Sequence, residues 1–147
     1  MDEATRQEFG VEGAWAQWRR HTIRWAECDL FGHVNHAAYL TLFEDLRIAH
    51  WLSLGQRLAR DAPGPVVAQI EARYRAPVGF AENVLLTLRP GTLGRTSFTH
   101  DYALWCGGLR FEARAVLVCL DNATGARVAV PDGARRLLLE RDGAVAR

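Results

Sequence analysis

Asp29, His33, Asn35 and His36 fall within one short stretch, AECDLFGHVNHAAYLTLF, residues 26–43. A carboxylate can attack an acyl carbon directly or draw a proton from water, and an imidazole can bind or polarise a carbonyl. The residues after Asn35 read as a long apolar helix. Free N–H groups at a helix start carry partial positive charge. An acid held at such a helix mouth suits acyl transfer to water. Asp29 would supply the activated oxygen, and the N–H of His36 or Ala37 would hold the oxyanion. One such donor is typically worth about 3 kcal/mol of barrier.

Each of these residues has a plainer reading. Asp29 can be a turn acid. Asn35 suits an N-cap better than a catalyst, because its side-chain oxygen accepts a first-turn N–H. His33 orients the loop or meets a carbonyl. His36 acts through its ring or only through its N–H. Cys28, His33, His36 and His50 raise the question of a metal, but no second cluster supports one, so none is expected. Glu44 and Asp45 form a solvated or subunit-facing stretch, with Glu44 an alternative base. His100 and Asp101 read as half-buried strand residues. Arg73, Arg75 and Arg95 read as surface arginines, with Arg95 the best placed for a phosphate.

The elements that must position these residues follow from the periodicity. Residues 1–17 form a polar leader that Trp15 and Trp18 would dock on the body. Trp18 to Ala26 alternate as a strand, with His21, Ile23 and Trp25 on one face. A largely buried helix is predicted over 36–54, where Tyr39, Leu42, Phe43, Leu46, Ala49, Trp51, Leu52 and Leu54 recur at mostly helical spacing, and Gly55 stops it. Alternation over 66–74 gives a second strand. Residues 84–89 give a third, closed by Pro90-Gly91. Residues 96–106 and 109–120 give two more, joined at Gly107-Gly108. A short helix around 133–140 and a tail, 141–147, end the chain. One long central helix wrapped by a five-stranded antiparallel sheet is an α+β domain, spanning 18–140. Trp105, Val116 and Val118 on the sheet's other face, together with long unprotected edges, point to a homo-oligomer.

The 147 residues suffice for one domain with a real core. A net charge of +1 gives no general field for nucleic acid. No apolar run reaches the roughly 20 residues of a membrane span. An N-terminus without an apolar h-region, and three cysteines at unrelated spacings, lead us to expect a cytoplasmic protein with reduced thiols.

The stretch IRWAECDLFGHVNHAAYLTLFEDLRIAHW resembles the signature of the hotdog-fold acyl-CoA thioesterases, the group of 4-hydroxybenzoyl-CoA thioesterase and the Tol-Pal-associated thioesterases. VVAQIEARYRAPV, LGRTSFTHDYAL and ARAVLVCLDNATGARVAVP resemble later strands of that family, in colinear order over about residues 18–140. The resemblance implies the hotdog fold, hydrolysis of acyl-CoA thioesters, and a homodimer or homotetramer with active sites between subunits. Coenzyme A then enters as part of the substrate, and no separate cofactor is expected. Asp29 matches the catalytic aspartate, and His36 matches the histidine of the Tol-Pal-associated members. Asn35 and His33 complete the turn. Tyr39 would shape the acyl site, and Gly94, Arg95, Thr96 and Ser97 would line the route of the coenzyme. Trp25 departs from the Tol-Pal-associated members, which often have a tyrosine there; so does the sparse basic character around Arg95, where those members have a longer basic cluster. Two other activities fit the same ligands: a hotdog dehydratase or hydratase, and a non-catalytic acyl-CoA-binding protein.

Overall fold

A single long helix and the sheet behind it account for most of the core. The computed structural model describes residues 1–147. In chain order the elements are α1 (Glu3–Phe9), β1 (Gln17–Thr22), a 3-10 turn (Trp25–Glu27) and α2 (His36–Ser53). There follow β2 (Pro63–Tyr74), β3 (Asn83–Leu93), β4 (Ser97–Trp105), β5 (Leu109–Asp121), α3 (Asp132–Glu140) and β6 (Val145–Ala146). The sheet order is β1-β3-β4-β5-β2, every neighbouring pair antiparallel, and β6 adds parallel to β3.

Asn35 caps α2 as expected, its side-chain oxygen accepting the Ala37 N–H at 2.8 Å. One face of α2 buries Tyr39, Leu42, Phe43, Leu46, His50 and Trp51. Phe43 packs on Tyr102 and Phe111, and Trp51 stacks on Phe98. Alternate residues of β3, β4 and β5 complete this core, among them Leu86, Leu88, Phe98, Leu104, Phe111 and Leu117. The period of two places them all on the helix side of the pleat. The helix is not buried all round: Thr41, Glu44, Asp45 and Leu52 face solvent.

Several expectations need correction. The first strand stops at Thr22 rather than Ala26, so His21, Ile23 and Trp25 share no strand face. The chain instead folds into the 3-10 turn, because the buried Glu27 carboxylate gathers the Arg24 N–H, the Arg24 side chain and His21. The third strand continues through Pro90-Gly91 with a register shift and ends at Leu93. The sheet has six strands, since the tail supplies β6.

The leader is also more than a polar lead-in. Phe9, Val11 and Trp15 pack on Leu85, Ala103 and Trp105, covering part of the sheet's outer face. Trp105 is therefore buried within one chain, and its indole N–H donates to Thr87 Oγ1. At the end of α1 the chain turns back at Gly10, with φ +68°. A side chain there would meet the Gly108 backbone at 2.7 Å. His100 is fully buried rather than half-buried. No helix is long and apolar enough to cross a membrane.

Candidate active site at the mouth of the long helix

The stretch before α2 is a tight hairpin-like loop. Asn35 N–H donates to Glu27 O at 2.7 Å, Cys28 and Val34 form a bridge, and Asp29 N–H donates to His33 O at 2.8 Å. Gly32 N–H closes the turn onto Asp29 O at 3.0 Å, with Gly32 at φ +76°, a conformation that glycine adopts without penalty. The far side is pinned to the segment before β3, where Val34 N–H donates to Val78 O and His33 bridges Gly79. Two rungs separate Asp29 from the helix cap, about 7 Å at strand rise.

Within this frame one oxygen of Asp29 is engaged and the other is not. Oδ1 accepts the N–H groups of Phe31 at 2.9 Å and His33 at 3.3 Å, while Oδ2 has no partner. The carboxylate makes no ion pair and the residue is exposed. His33 contributes its backbone to the turn. The first turn of α2 offers one open donor. The Ala37 N–H goes to the Asn35 side chain, and the Ala38 and Tyr39 N–H groups go to Asn35 O. Only the His36 N–H makes no hydrogen bond. Of the two donors expected, Ala37 is therefore spent on the cap.

The His36 ring is not free. Its Nδ1 is hydrogen-bonded to the hydroxyl of Tyr74, the last residue of β2. Tyr74 sits edge-on to Tyr39 and to Phe111, and Tyr39 stacks on Phe111 with centroids 4.6 Å apart. Tyr39 is buried, and burial pushes its hydroxyl up to about 12. Burial also raises Tyr74, so both phenols hold their protons. Sequence reasoning passed over Tyr74 as one more alternating strand residue. Its only signal was a polar-tipped aromatic on the core side at a strand end. It also missed Glu27, whose carboxyl anchors the loop. Burial alone would raise that carboxyl, but the Arg24 N–H, His21 and the Arg24 side chain outweigh it and hold it below the usual range. Trp25 lies away from this cluster, exposed and edge-on to Phe80.

Gly94, Arg95, Thr96 and Ser97 form the turn between β3 and β4, at the opposite end of β3 from the loop. Asn83 pairs with Thr22 beside the loop, and ten residues later Leu93 leads into Gly94. That separation is about 33 Å. The turn is closed by Gly94 N–H donating to Ser97 O at 2.8 Å, and Arg135 donates to the carbonyls of Gly94 and Arg95. One chain thus brings Asp29, His33, Asn35, His36 and Tyr39 together and leaves Gly94–Ser97 apart. Two cavities, of about 560 and 620 Å³, open on the outer sheet face and beside the tail, and neither is lined by Asp29 or His36. No group of three or more His, Cys, Asp or Glu side chains is placed to hold a metal ion. Glu44 is exposed on the solvent side of α2 and pairs with Arg47 at 3.1 Å.

A sheet wrapped on one face around a long helix, with an acid loop at the helix start, is the hotdog arrangement. The family described as the thioesterase-like superfamily matches residues 23–138, and the chain belongs to it. It is similar over its whole length to a thioesterase-superfamily protein of Jannaschia sp. CCS1: 27% identity, TM-score 0.89, covering 100% of this chain and 96% of that one. A thioesterase of Thermus thermophilus, solved with coenzyme A and zinc, is 26% identical with TM-score 0.72, covering 85% of this chain and 98% of that one. The protein YsmA of Bacillus subtilis (strain 168) is 26% identical over 120 residues, 80% of this chain and 82% of that protein.

Proposed function

We propose that the protein hydrolyses acyl-CoA thioesters to the free acid and coenzyme A, with no cofactor beyond the coenzyme carried by the substrate. The observation that carries this reading is the pairing of an open carboxylate oxygen on Asp29 with one uncommitted N–H at the start of α2. A thioester carbonyl laid over that N–H places its developing negative charge at the positive end of the helix. Asp29 then attacks the carbonyl carbon as nucleophile, or takes a proton from the water that does. In both routes the thiolate of coenzyme A leaves and takes up a proton. On the nucleophilic route the acyl group is left on Asp29 as a mixed anhydride, which water then hydrolyses to the free acid and the restored carboxylate. Membership of the thioesterase-like superfamily supports the reaction class, and the coenzyme bound to the Thermus relative supports the leaving group.

The site as one chain builds it is a half-site. Gly94–Ser97 can line the coenzyme's route to Asp29 only from another subunit, given the length of β3. β2 supports such an assembly: it pairs with β5 alone, and it exposes Val66, Val67 and Ile70. Leu30 and Phe31, at the tip of the acid loop, are almost wholly exposed as well. We therefore expect a homo-oligomer of the 16.4 kDa chain. Sedimentation that finds only the single-chain mass at assay concentration would remove the shared site.

The test of the reaction is Asp29→Asn, assayed by thiol released from a panel of acyl-CoA substrates. Turnover should fall by roughly 10²–10⁴-fold, the usual contribution of a positioned general base, with the fold unchanged. Near-full activity in this variant would take Asp29 out of the mechanism.

A further inference from the structure

A phenol hydroxyl stands at the ring of a histidine that the proposed reaction uses. His36 is the first residue of α2, and its N–H is the open donor. Its Nδ1 meets Tyr74 Oη across the gap between α2 and the end of β2. The Tyr74 ring is set by contacts rather than left to swing: Tyr39 at 5.4 Å and Phe111 at 5.1 Å, both edge-on. Tyr74 Oη has no other hydrogen-bond partner within the protein, so His36 Nδ1 is the one protein acceptor its proton meets. An imidazole that accepts at Nδ1 carries its proton on Nε2. The opposite arrangement, Nδ1–H donating to the phenol oxygen, turns the phenol proton out to solvent and leaves Nε2 an acceptor with nothing to offer a carbonyl oxygen.

We propose that Tyr74 is a positioning residue, whose hydroxyl donates to His36 Nδ1 and so fixes the ring proton on Nε2. The ring then offers an N–H beside the backbone N–H of the same residue, and the two can converge on one carbonyl oxygen. Tyr74 itself does not touch the reacting atoms. It acts by choosing which His36 nitrogen is a donor and by holding the ring plane. The catalytic half of this inference rests on the thioesterase reading. The tautomer does not, and it can be measured on its own.

The experiment is long-range ¹H–¹⁵N NMR of the histidine rings in the full-length protein. It is run near pH 8, above the usual histidine range of about 6.5, with His36→Gln used to assign the signals. The expected result is a single Nε2–H tautomer for His36 in the wild type and a mixture in Tyr74→Phe, which keeps the ring packing. A wild-type ring protonated on Nδ1, or a tautomer unchanged in Tyr74→Phe, overturns the proposal. The wild-type spectrum decides the tautomer even where the variant folds poorly. In the thiol-release assay, Tyr74→Phe should lower kcat about tenfold, the scale of one lost hydrogen bond, with KM little changed. It should cause no further loss in a His36→Gln background. Full additivity of the two changes would also overturn it. If no acyl-CoA is hydrolysed by the wild type while the tautomer is as expected, the reaction assignment has failed and the positioning by Tyr74 stands.

Discussion

Two regions of the molecule assemble aspartate and histidine from the ends of α2, and they are opposites. At the helix start, Asp29, His33 and His36 are exposed, and one carboxylate oxygen and one N–H are left without partners. At the helix end, His50 is fully buried and its Nε2 lies 2.9 Å from Asp142 Oδ2. His100 packs edge-on to it, with ring centroids 5.0 Å apart, and its Nδ1 lies 3.2 Å from the Tyr102 hydroxyl. Arg141 donates to both Asp142 oxygens, and the Asp142 side chain is itself almost wholly buried. Residue types alone would rate the second cluster the better acid–base set, since it has a paired carboxylate and imidazole. What it lacks is access. The first region spends its hydrogen bonds on holding a loop and keeps two groups open for a substrate. The second pairs His50 with Asp142 and His100 with Tyr102, leaves the other nitrogen of each ring buried without a partner, and ties the tail to the helix. Activity should therefore respond to changes in the first, and stability to changes in the second.

The largest expected effect is the loss of turnover in Asp29→Asn, and it should come with almost no change in melting temperature. The Oδ1 contacts to Phe31 and His33 survive in the amide, so the loop has no reason to open. A fall of many degrees in that variant would mean that Asp29 is a structural turn acid, and the contrast between the two ends of α2 would be lost.

The reverse holds for Asp142→Ala. Burial alone would raise the Asp142 carboxyl, but Arg141 and His50 outweigh it and hold it below the usual range. Removing it leaves a buried His50 nitrogen without its partner and frees Arg141. A buried polar group left unpaired costs about 1–3 kcal/mol. For a chain of this size the melting temperature should drop by roughly 4–8 °C at the middle of that range. Thiol release per folded molecule should stay near wild type. Calorimetry alongside the assay checks both halves.

Next in size is an acid effect confined to the buried cluster. Burial lowers His50 against the opposing pull of Asp142, and it lowers His100 well below 6.5, with His50 and Arg47 adding to the shift. The groups facing this pair are Arg47 on α2, Tyr102 on β4, and Arg141 and Asp142 on the tail. A histidine whose folded pKa is depressed takes up protons more readily when unfolded. Its contribution to stability is thus complete above about 6.5 and is lost as pH falls below that value toward the folded pKa. Asp142 has the same sign but acts only below its ordinary value of 3.8. Denaturation midpoints should hold steady between pH 7 and 8 and decline from about pH 6.5 downward. His100→Gln should flatten that decline. An equal slope in the variant would place the acid sensitivity elsewhere.

How much of this was legible in the chain depends on the range of the interactions. The cap at Asn35, the turn at Gly32 and the extent of α2 are local, and they read directly from residue type and spacing. The place of Asp29 in its turn was legible for the same reason, because its hydrogen-bond partners lie within four residues. Tyr74 was not: it meets His36 across 38 positions, through a strand end that pairs with β5. Asp142 was not either, since its partner lies 92 positions away and the segment around it reads as a polar tail. The leader misled in a related way. Phe9 and Val11 are two apolar residues in a polar stretch, too few to show a period, yet the outer face of the sheet is where they go. The apolar outer face was real, but part of it is covered from within the chain.

The smallest expected effect belongs to Glu44, a carboxylate on α2 itself that a thioesterase could use. It lies eight residues beyond His36, so about 12 Å along the axis from the open N–H at 1.5 Å per residue. Its side chain points to solvent and pairs with Arg47, a contact worth at most about 1 kcal/mol at an exposed site. Within one chain, an oxygen that far from the oxyanion donor cannot also attack the carbonyl that the donor holds, and Asp29 is the carboxylate that the same chain places at the helix mouth. Glu44→Gln should accordingly leave kcat and KM within about a factor of two, and stability within about 0.5 kcal/mol, as for an ordinary surface change. A loss of turnover in Glu44→Gln comparable with that in Asp29→Asn would move the working carboxylate onto the helix flank. The loop at the helix mouth would then be a scaffold, no more chemical than the buried cluster at the other end.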